Sequence, residues 1–438
     1  MKTRNLLIAS FLLAALAGVV FWAQKHPNTP ATDTNVPPTP KLADIPASNI
    51  QQIEITRKDS PAITLQRDAG KWVITTPQKL PADQDAVSTL LTNLSPVNGD
   101  SVVEEKASNL AQYGLTTPAL DVKIHEKSGK ADNLLFGNDV ATGSLTYASV
   151  GSSPKVYAVS TNTKTSLDKS VNDLRDKRLL TFDSGKLTSV AVTSAKGGSI
   201  EFAKNNQGDW QIVKPQPYRA DNSQVGDLVR LLGDAKMDLS GSADDLKKAE
   251  ASFASGTPVA TVKVTDASGT QSLDVRKNKD DYFARGSAVA GAYKVNSDLG
   301  NQVAKNIDDY RNKKLFDFGF SDPTKITVQQ NNGTVTYVKS GTDYKSNGKT
   351  EDPGKVQSLI DKLRDLTATK LSTSAFPGPS ITISVTSNDG KRVETVELAK
   401  SGSDYLAIRE NEPTVYNINA GTVDDLLKAN ADIKPAKK

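Results

Sequence analysis

One hydrophobic pattern occurs three times along the chain. Asp83, Asp221 and Asp352 each stand four residues before a valine, and apolar residues then recur three, four and seven positions further on. The sets are Val87, Leu90, Leu91 and Leu94; Val225, Leu228, Val229 and Leu232; Val356, Leu359, Ile360 and Leu363. This spacing places one apolar stripe along a helix, and the aspartate ahead of it can accept the unpaired N–H groups of the first turn. Pro353, directly after Asp352, suits the first helical position because no hydrogen bond is lost there.

Strand signals surround each stripe at matching offsets. A Gly-x-aromatic segment comes before: Gly70-Lys71-Trp72-Val73-Ile74, Gly208-Asp209-Trp210-Gln211-Ile212, and the weaker Gly341-Thr342-Asp343-Tyr344. An alternating strand opened by proline comes after: Pro118 before Val122 and Ile124, Pro258 before Val262 and Val264, Pro379 before Ile383 and Val385. Hairpins follow in which Ala148 and Tyr157, Ala284 and Tyr293, and Ala407 and Tyr416 are each nine residues apart. Turn residues such as Ser128-Gly129, Ser268-Gly269 and Asp389-Gly390 separate the strands, as short antiparallel connections require. The first two copies also end alike, Asp173-Leu174-Arg175-Asp176-Lys177-Arg178-Leu179-Leu180 matching Asp309-Tyr310-Arg311-Asn312-Lys313-Lys314-Leu315-Phe316.

A period of roughly 120–140 residues is domain-sized, so each copy can hold its own core. The fold class expected is α+β: three tandem diverged repeats, each a small, mostly antiparallel sheet covered on one face by its Asp-capped helix. The units are expected at residues 50–181, 182–317 and 318–438, the last with a short basic tail.

Ahead of the repeats the pattern changes. Lys2 and Arg4 precede an uncharged stretch at residues 6–23, long enough as a helix for a bilayer core of about 30 Å. Positive charge ahead of the span keeps the N-terminus cytoplasmic and sends the rest outside. Ala15-Leu16-Ala17 also fits a signal-peptide cleavage site, but Gly18, Val19, Val20, Phe21 and Trp22 continue the apolar run past it, which favours a retained anchor. Residues 24–49 carry six prolines among small polar residues, and such a segment favours an extended stalk.

Composition narrows the chemistry. Lys plus Arg number 54 against 50 Asp plus Glu, a near balance that gives no single-sign surface for nucleic acid. The chain has no cysteine, so disulfides, thiolate nucleophiles and Cys-ligated metals are excluded. His125 is the one histidine beyond the stalk, and its parity on the Val122/Ile124 strand turns it from the apolar face, as a solvated residue rather than a triad member. Asn205-Asn206-Gln207-Gly208-Asp209 offers oxygen ligands for calcium but lacks the closing glutamate and reads as a hairpin turn. The acidic doublets Glu104-Glu105, Asp244-Asp245, Asp280-Asp281, Asp308-Asp309 and Asp424-Asp425 point in different directions and suit helix starts and turns. Trp72, Trp210 and Tyr344 could stack sugars, yet apolar neighbours place them in core strands. The basic joints around Arg175 and Arg311 hold intermixed Asp173, Asp176 and Asp309, which favours local ion pairs over clamped phosphate. No catalytic, cofactor-binding or metal-binding residue is assigned, and no cofactor is expected.

Several segments together resemble the bacterial domain-of-unknown-function family 4340. They are the anchor, the Gly-x-Trp strand with Pro81-Ala82-Asp83, Tyr113-Gly114-Leu115-Thr116-Thr117-Pro118-Ala119-Leu120, Leu135-Phe136-Gly137-Asn138, and Leu174-Arg175-Asp176-Lys177-Arg178. The resemblance covers most of residues 50–320 and, more loosely, 320–430. Members are often encoded beside ABC-transporter components of the gliding-motility type, so the resemblance implies an accessory role near an envelope exporter. It carries over no catalytic residue. The second copy departs from the Tyr-Gly-Leu segment with Ser252-Phe253-Ala254-Ser255-Gly256. The expectation is a single-pass protein of the cytoplasmic (inner) membrane. Its bulk lies outside the cytoplasm, and it binds or scaffolds transporter subunits without acting as an enzyme. An envelope receptor for a soluble ligand or glycan is the alternative, followed by a carboxylate-dependent envelope hydrolase.

Overall fold

A computed structural model describes residues 39–434 apart from 142, 197 and 332. The expected anchor and the stalk up to residue 38 lie outside the described residues, among which no helix is long and apolar enough to cross a membrane.

The three apolar stripes form helices at Gln84–Asn93, Asn222–Gly233 and Pro353–Asp365. In each, the preceding aspartate carboxylate accepts two first-turn N–H groups at 2.9–3.2 Å. The stripe residues Val87, Leu90, Val225, Leu228, Val356 and Leu359 are fully buried against a sheet, each burial worth about 1.5–3 kcal/mol.

The described residues form three large sheets, antiparallel throughout and with one strand order. In the first, Leu80–Pro81 lies at one edge, followed by Lys71–Thr76, Ile63–Asp68, Ile50–Arg57, Leu120–Glu126, Ala131–Asp139, Leu145–Val150 and Val156–Ser160, with Ser101–Glu104 at the far edge. The third sheet repeats this order strand for strand, from Lys349–Thr350 to Lys370–Ser372. The second follows it as far as Tyr293–Val295 and stops there, one strand short. Each sheet has its own apolar core, assembled from alternate strand residues and the capped helix. We call each sheet with its helices a lobe. The chain divides into two compact units, Met1–Asp176 and Lys177–Lys438, so the second and third lobes share one unit.

The lobes begin earlier than the periodicity suggests. Leu42, Ala43 and Ile45, assigned from sequence to the stalk, are buried in the first core, and Lys41–Ala43 pairs with Val97–Asn98. Pro40 and Pro46 flank this short strand instead of interrupting it, and the Pro40 carbonyl accepts the Gly99 N–H at 2.7 Å. The basic joints do the same for the later lobes. Leu179, Leu180 and Phe182 enter the second core, and Leu315, Phe316 and Phe318 enter the third. The Lys177 carbonyl accepts the Met237 N–H at 2.7 Å, and the Lys313 carbonyl accepts the Ala368 N–H at 2.9 Å. Every lobe therefore opens with a lead-in segment, at residues 40–45, 177–182 and 313–318, and the expected boundaries at 49/50, 181/182 and 317/318 move towards the N-terminus.

Cover on one face only is also too simple. In the first lobe Ala107, Leu115 and Val156 form a second apolar cluster with Leu110, Tyr113, Leu135 and Tyr147. In the second, helix Ala243–Ser255 brings Phe253 against Phe283 and Ala292. These segments lie between the capped helix and the proline-led strand, where the sequence shows no helical stripe long enough to flag them.

Candidate functional site

The residues singled out by sequence reasoning do not converge. Trp72, Trp210 and Tyr344 are 5%, 7% and 6% exposed, each under the cationic head of Arg67, Lys204 or Lys339. Rings so enclosed present no face to a sugar. His125 is half-buried with its Nε2 3.1 Å from Glu54 on the neighbouring strand. Asp121 lies four residues before His125 on the same strand, and burial pushes its carboxyl above the usual carboxylate range. In the turn at Asn205, the side-chain oxygen is already occupied by the N–H groups of Gln207 and Asp209, both at 2.9 Å. Asp244-Asp245 and Asp308-Asp309 sit in first helical turns, where Asp245 and Asp309 close capping boxes with Ser242 and Asn306. Arg311 pairs with Asp308 at 3.2 Å and lies over the Tyr218 ring.

What the fold does bring together is a charged junction between the second and third lobes. The short strand Tyr218–Arg219 pairs with the Trp210–Lys214 strand and runs directly into the cap Asp221. Ala220 forms a backbone bridge with Arg311, and the Arg219 carbonyl accepts the Asn312 N–H at 3.0 Å. Arg219 is thereby held against the lead-in of the third lobe. Its guanidinium pairs with Asp317, donates to the Lys314 carbonyl at 2.6 Å and reaches the Tyr416 hydroxyl at 3.2 Å. Its Nε is 2.7 Å from Glu412, close enough for an ion pair though off the hydrogen-bond axis.

A second arginine extends the network. Arg409 lies 2.9 Å from Glu394 and 3.3 Å from Glu412. Glu394, 5% exposed, also accepts the Asp317 N–H at 2.9 Å and takes Arg392 at 3.3 Å. Burial opposes the charge on Arg219, but Tyr416, Glu412 and Asp317 outweigh it and hold the guanidinium above its ordinary value. Tyr416 is pushed up, by burial first and with Glu412 adding to it against the pull of Arg219. Buried Arg219 and Arg409, with the more exposed Arg392, balance three carboxylates here, which is how charge is tolerated away from water.

Beside this network lies a cleft of about 560 Å³, lined by Arg219, Asp317, Lys391 and Arg392 and by a set of carboxamides that includes Gln207, Gln211, Asn222, Asn312 and Asn388. Each carboxamide offers both donor and acceptor atoms, so the surface suits a hydroxylated or charged solute. Among the described residues no aromatic ring lines it.

Sequence reasoning missed this site, although a signal was there. At the position before the Ala-Asp cap pair the second copy has Arg219 where the first has Pro81, and the third has Thr350 before Glu351-Asp352. Glu394 likewise replaces Gln271, which accepts the Thr181 N–H at 2.8 Å as Glu394 accepts that of Asp317. Arg219, a charge that neither other copy has at its position and that lies next to a joint, marks the contact between copies.

Fold and junction define an α+β protein of antiparallel sheets with one strand order, two of them joined by a buried ion network. The sequence pattern of the family described as Domain of unknown function (DUF4340) matches residues 72–209 and 210–382, and the chain belongs to that family. Both matches start at a tryptophan of the Gly-x-Trp strand, so the family pattern is out of phase with the sheets and ends partway through the next lobe. No curated protein and no solved structure matches the chain.

Proposed function

We propose that this is a non-enzymatic binding or scaffold protein of the cell envelope. Residues 6–23 anchor it, and three tandem copies of one unit are presented outside the cytoplasm to a membrane transport complex. The observation that carries this reading is how the second and third lobes spend their charge. Arg219, Asp317, Glu394, Arg409 and Glu412 join the two sheets to each other instead of surrounding a reactive centre. A spacer built in this way holds a fixed surface. Purification of the detergent-solubilised chain after in-cell crosslinking tests the proposal. Recovery of an ABC-transporter subunit is the expected result, and recovery with no membrane transport component counts against it. Protease added to spheroplasts should digest the C-terminal unit, and full protection there would contradict the proposed topology.

A second reading, a receptor for a soluble ligand or glycan, is favoured by one observation, the carboxamide-lined cleft. Burial of the tryptophans moves the expected contact from ring stacking to hydrogen bonding. Equilibrium dialysis against neutral and acidic disaccharides, compared with Asn312→Ala, separates this reading from a purely structural cleft. Hydrolysis is less well supported. Asp209 and Asp317 both line the cleft, but Asp317 is taken up by Arg219 and Asn312.

A further inference from the structure

The second sheet lacks a strand that its neighbours possess. In the first lobe, Ser101–Glu104 lies along the last hairpin strand with Val102 opposite Tyr157, and in the third, Lys370–Ser372 does so with Leu371 opposite Tyr416. The strands are anchored alike, the Asp100 N–H donating to the Ala158 carbonyl at 2.8 Å and the Thr369 N–H to that of Asn417 at 2.9 Å. In the second lobe the corresponding strand is Tyr293–Val295, and the corresponding carbonyl belongs to Lys294. Asp238 stands where Asp100 and Thr369 stand, one residue after the N–H that pairs with the lead-in. Yet outside its pairing with strand Asp281–Gly286, no backbone N–H among the described residues reaches the Lys294 carbonyl.

Space is left where the strand would run. A cavity of about 380 Å³ opens between Asp238, Gly241 and the face of helix Ala243–Ser255 that carries Asp245, Ala249 and Ser252 on one side, and Tyr293 and Lys294 on the other. Another of about 250 Å³ lies between Lys236 and Val295. The chain turns off into helix Ala243–Ser255, capped by Ser242, before it can pair. A lysine on a short edge can serve to repel stray strands. Here the Lys294 ammonium is tied back to Asp281, 2.9 Å away on the adjacent strand, and does not guard the edge.

We propose that this slot takes an extended segment of another polypeptide as a ninth, antiparallel strand, with an apolar side chain set opposite Tyr293. Main-chain bonds to Lys294 supply affinity, and the position facing Tyr293 supplies selectivity, as in other cases of strand addition to an open sheet edge. The occupant is inferred from the two lobes in which the same slot is filled by the chain itself, both times with a branched aliphatic residue facing the tyrosine. This goes beyond the scaffold reading and does not depend on the cleft at the junction of the second and third lobes.

The test uses the full chain in detergent and a labelled peptide that copies the first lobe's edge strand, Gly-Asp-Ser-Val-Val-Glu-Glu. Fluorescence anisotropy should show saturable binding. N-methylation at the peptide aspartate, which removes the donor for Lys294, should weaken binding by about tenfold. Lys294→Ala, which keeps the backbone, should bind as wild type. Hydrogen exchange should slow at residues 293–296. No saturable binding at millimolar peptide, equal binding of the methylated peptide, or protection confined to the first or third sheet would each overturn the proposal.

Discussion

Gly137 lies so close to the carbonyl of Tyr113 that a Cβ built on it would be 2.1 Å from the oxygen. Gly114, next to Tyr113, is in the left-handed region at φ +70 and faces Asn138, a Cβ there lying 2.5 Å from its side-chain oxygen. The two segments that identify the family, Tyr113-Gly114-Leu115 and Leu135-Phe136-Gly137-Asn138, are thus two sides of one contact. They clamp the second apolar cluster of the first lobe, in which Leu115 is buried. Gly137→Ala should destabilise the first lobe by about 1–3 kcal/mol, because backbone and not a flexible side chain must move. Gly226→Ala is the opposite case. It stands on the exposed face of the second capped helix with nothing near its would-be Cβ, and should stabilise by about 0.5–1 kcal/mol. Urea unfolding of the two variants checks both signs, and a Gly137→Ala variant as stable as the wild type would contradict the close approach.

Arg219 is the hinge pin of the junction. Its guanidinium serves Asp317, Glu412, the Lys314 carbonyl and Tyr416 together. Arg219→Ala leaves two carboxylates of the third lobe without this partner, at a cost of about 2–4 kcal/mol. Arg219→Lys should recover little of it, since one ammonium cannot reach four acceptors in a plane. The expected signature is loss of cooperativity within the unit Lys177–Lys438, seen as a second thermal transition. A single unshifted transition in Arg219→Ala would show that the junction contributes nothing.

How much of this was legible in the sequence follows from which signals are local. The capped helices were, because an aspartate and a 3-4-7 stripe declare themselves within a dozen residues. The sheet order was partly legible through the proline-led strands and the Ala-Tyr hairpins. The lead-in segments were not. Leu42, Ala43 and Ile45 sit between prolines in a polar stretch, and only pairing with Val97–Asn98, over fifty positions away, makes them a strand. Arg219 and Glu394 were hidden for the same reason, since each looks like a solvated charge until the fold sets it against residues 77 to 197 positions distant. Trp72 and Trp210 were legible as core residues from Ile74 and Ile212, two positions on along the same strand face.

The third lobe should be sensitive to alkali. Burial raises the Tyr344 hydroxyl to about 12, with Asp322 adding to it and Arg364 opposing. Its hydroxyl donates to the Pro323 carbonyl, a bond that the phenolate cannot make. The protonated form is favoured in the fold over the unfolded chain, whose tyrosines titrate near 10. The stabilisation is therefore complete below about pH 10 and falls as pH rises from there through 12. Tyr337, raised to about 12 by burial with Glu351 adding to it, acts in the same direction. Unfolding midpoints measured from pH 9 to about 12 should fall more steeply in the wild type than in Tyr344→Phe. Parallel curves would remove this tyrosine from the account.

Glu394 offers the sharpest test of the ion network because the second lobe supplies its natural control. Gln271 receives the Thr181 N–H where Glu394 receives that of Asp317, at 2.8 and 2.9 Å. Gly286 of that lobe stands where the third has Arg409, pairing with Leu273 as Arg409 pairs with Val396. Glu394→Gln therefore keeps the backbone bond and removes only the charge that Arg409 and Arg392 share. It should cost about 2–3 kcal/mol, chiefly because buried Arg409 loses its shortest ion pair and keeps only the longer ones to Glu412 and Asp317. Replacing Arg409 as well, by Gln, should cost less than the sum of the two single changes by about 1 kcal/mol or more, since the second substitution removes an arginine whose shortest ion pair is already gone. Denaturant midpoints of the four proteins in the cycle measure that difference. Strict additivity would mean that Glu394 and Arg409 merely lie side by side, and that the glutamate is held for the Asp317 N–H alone, as Gln271 is for Thr181.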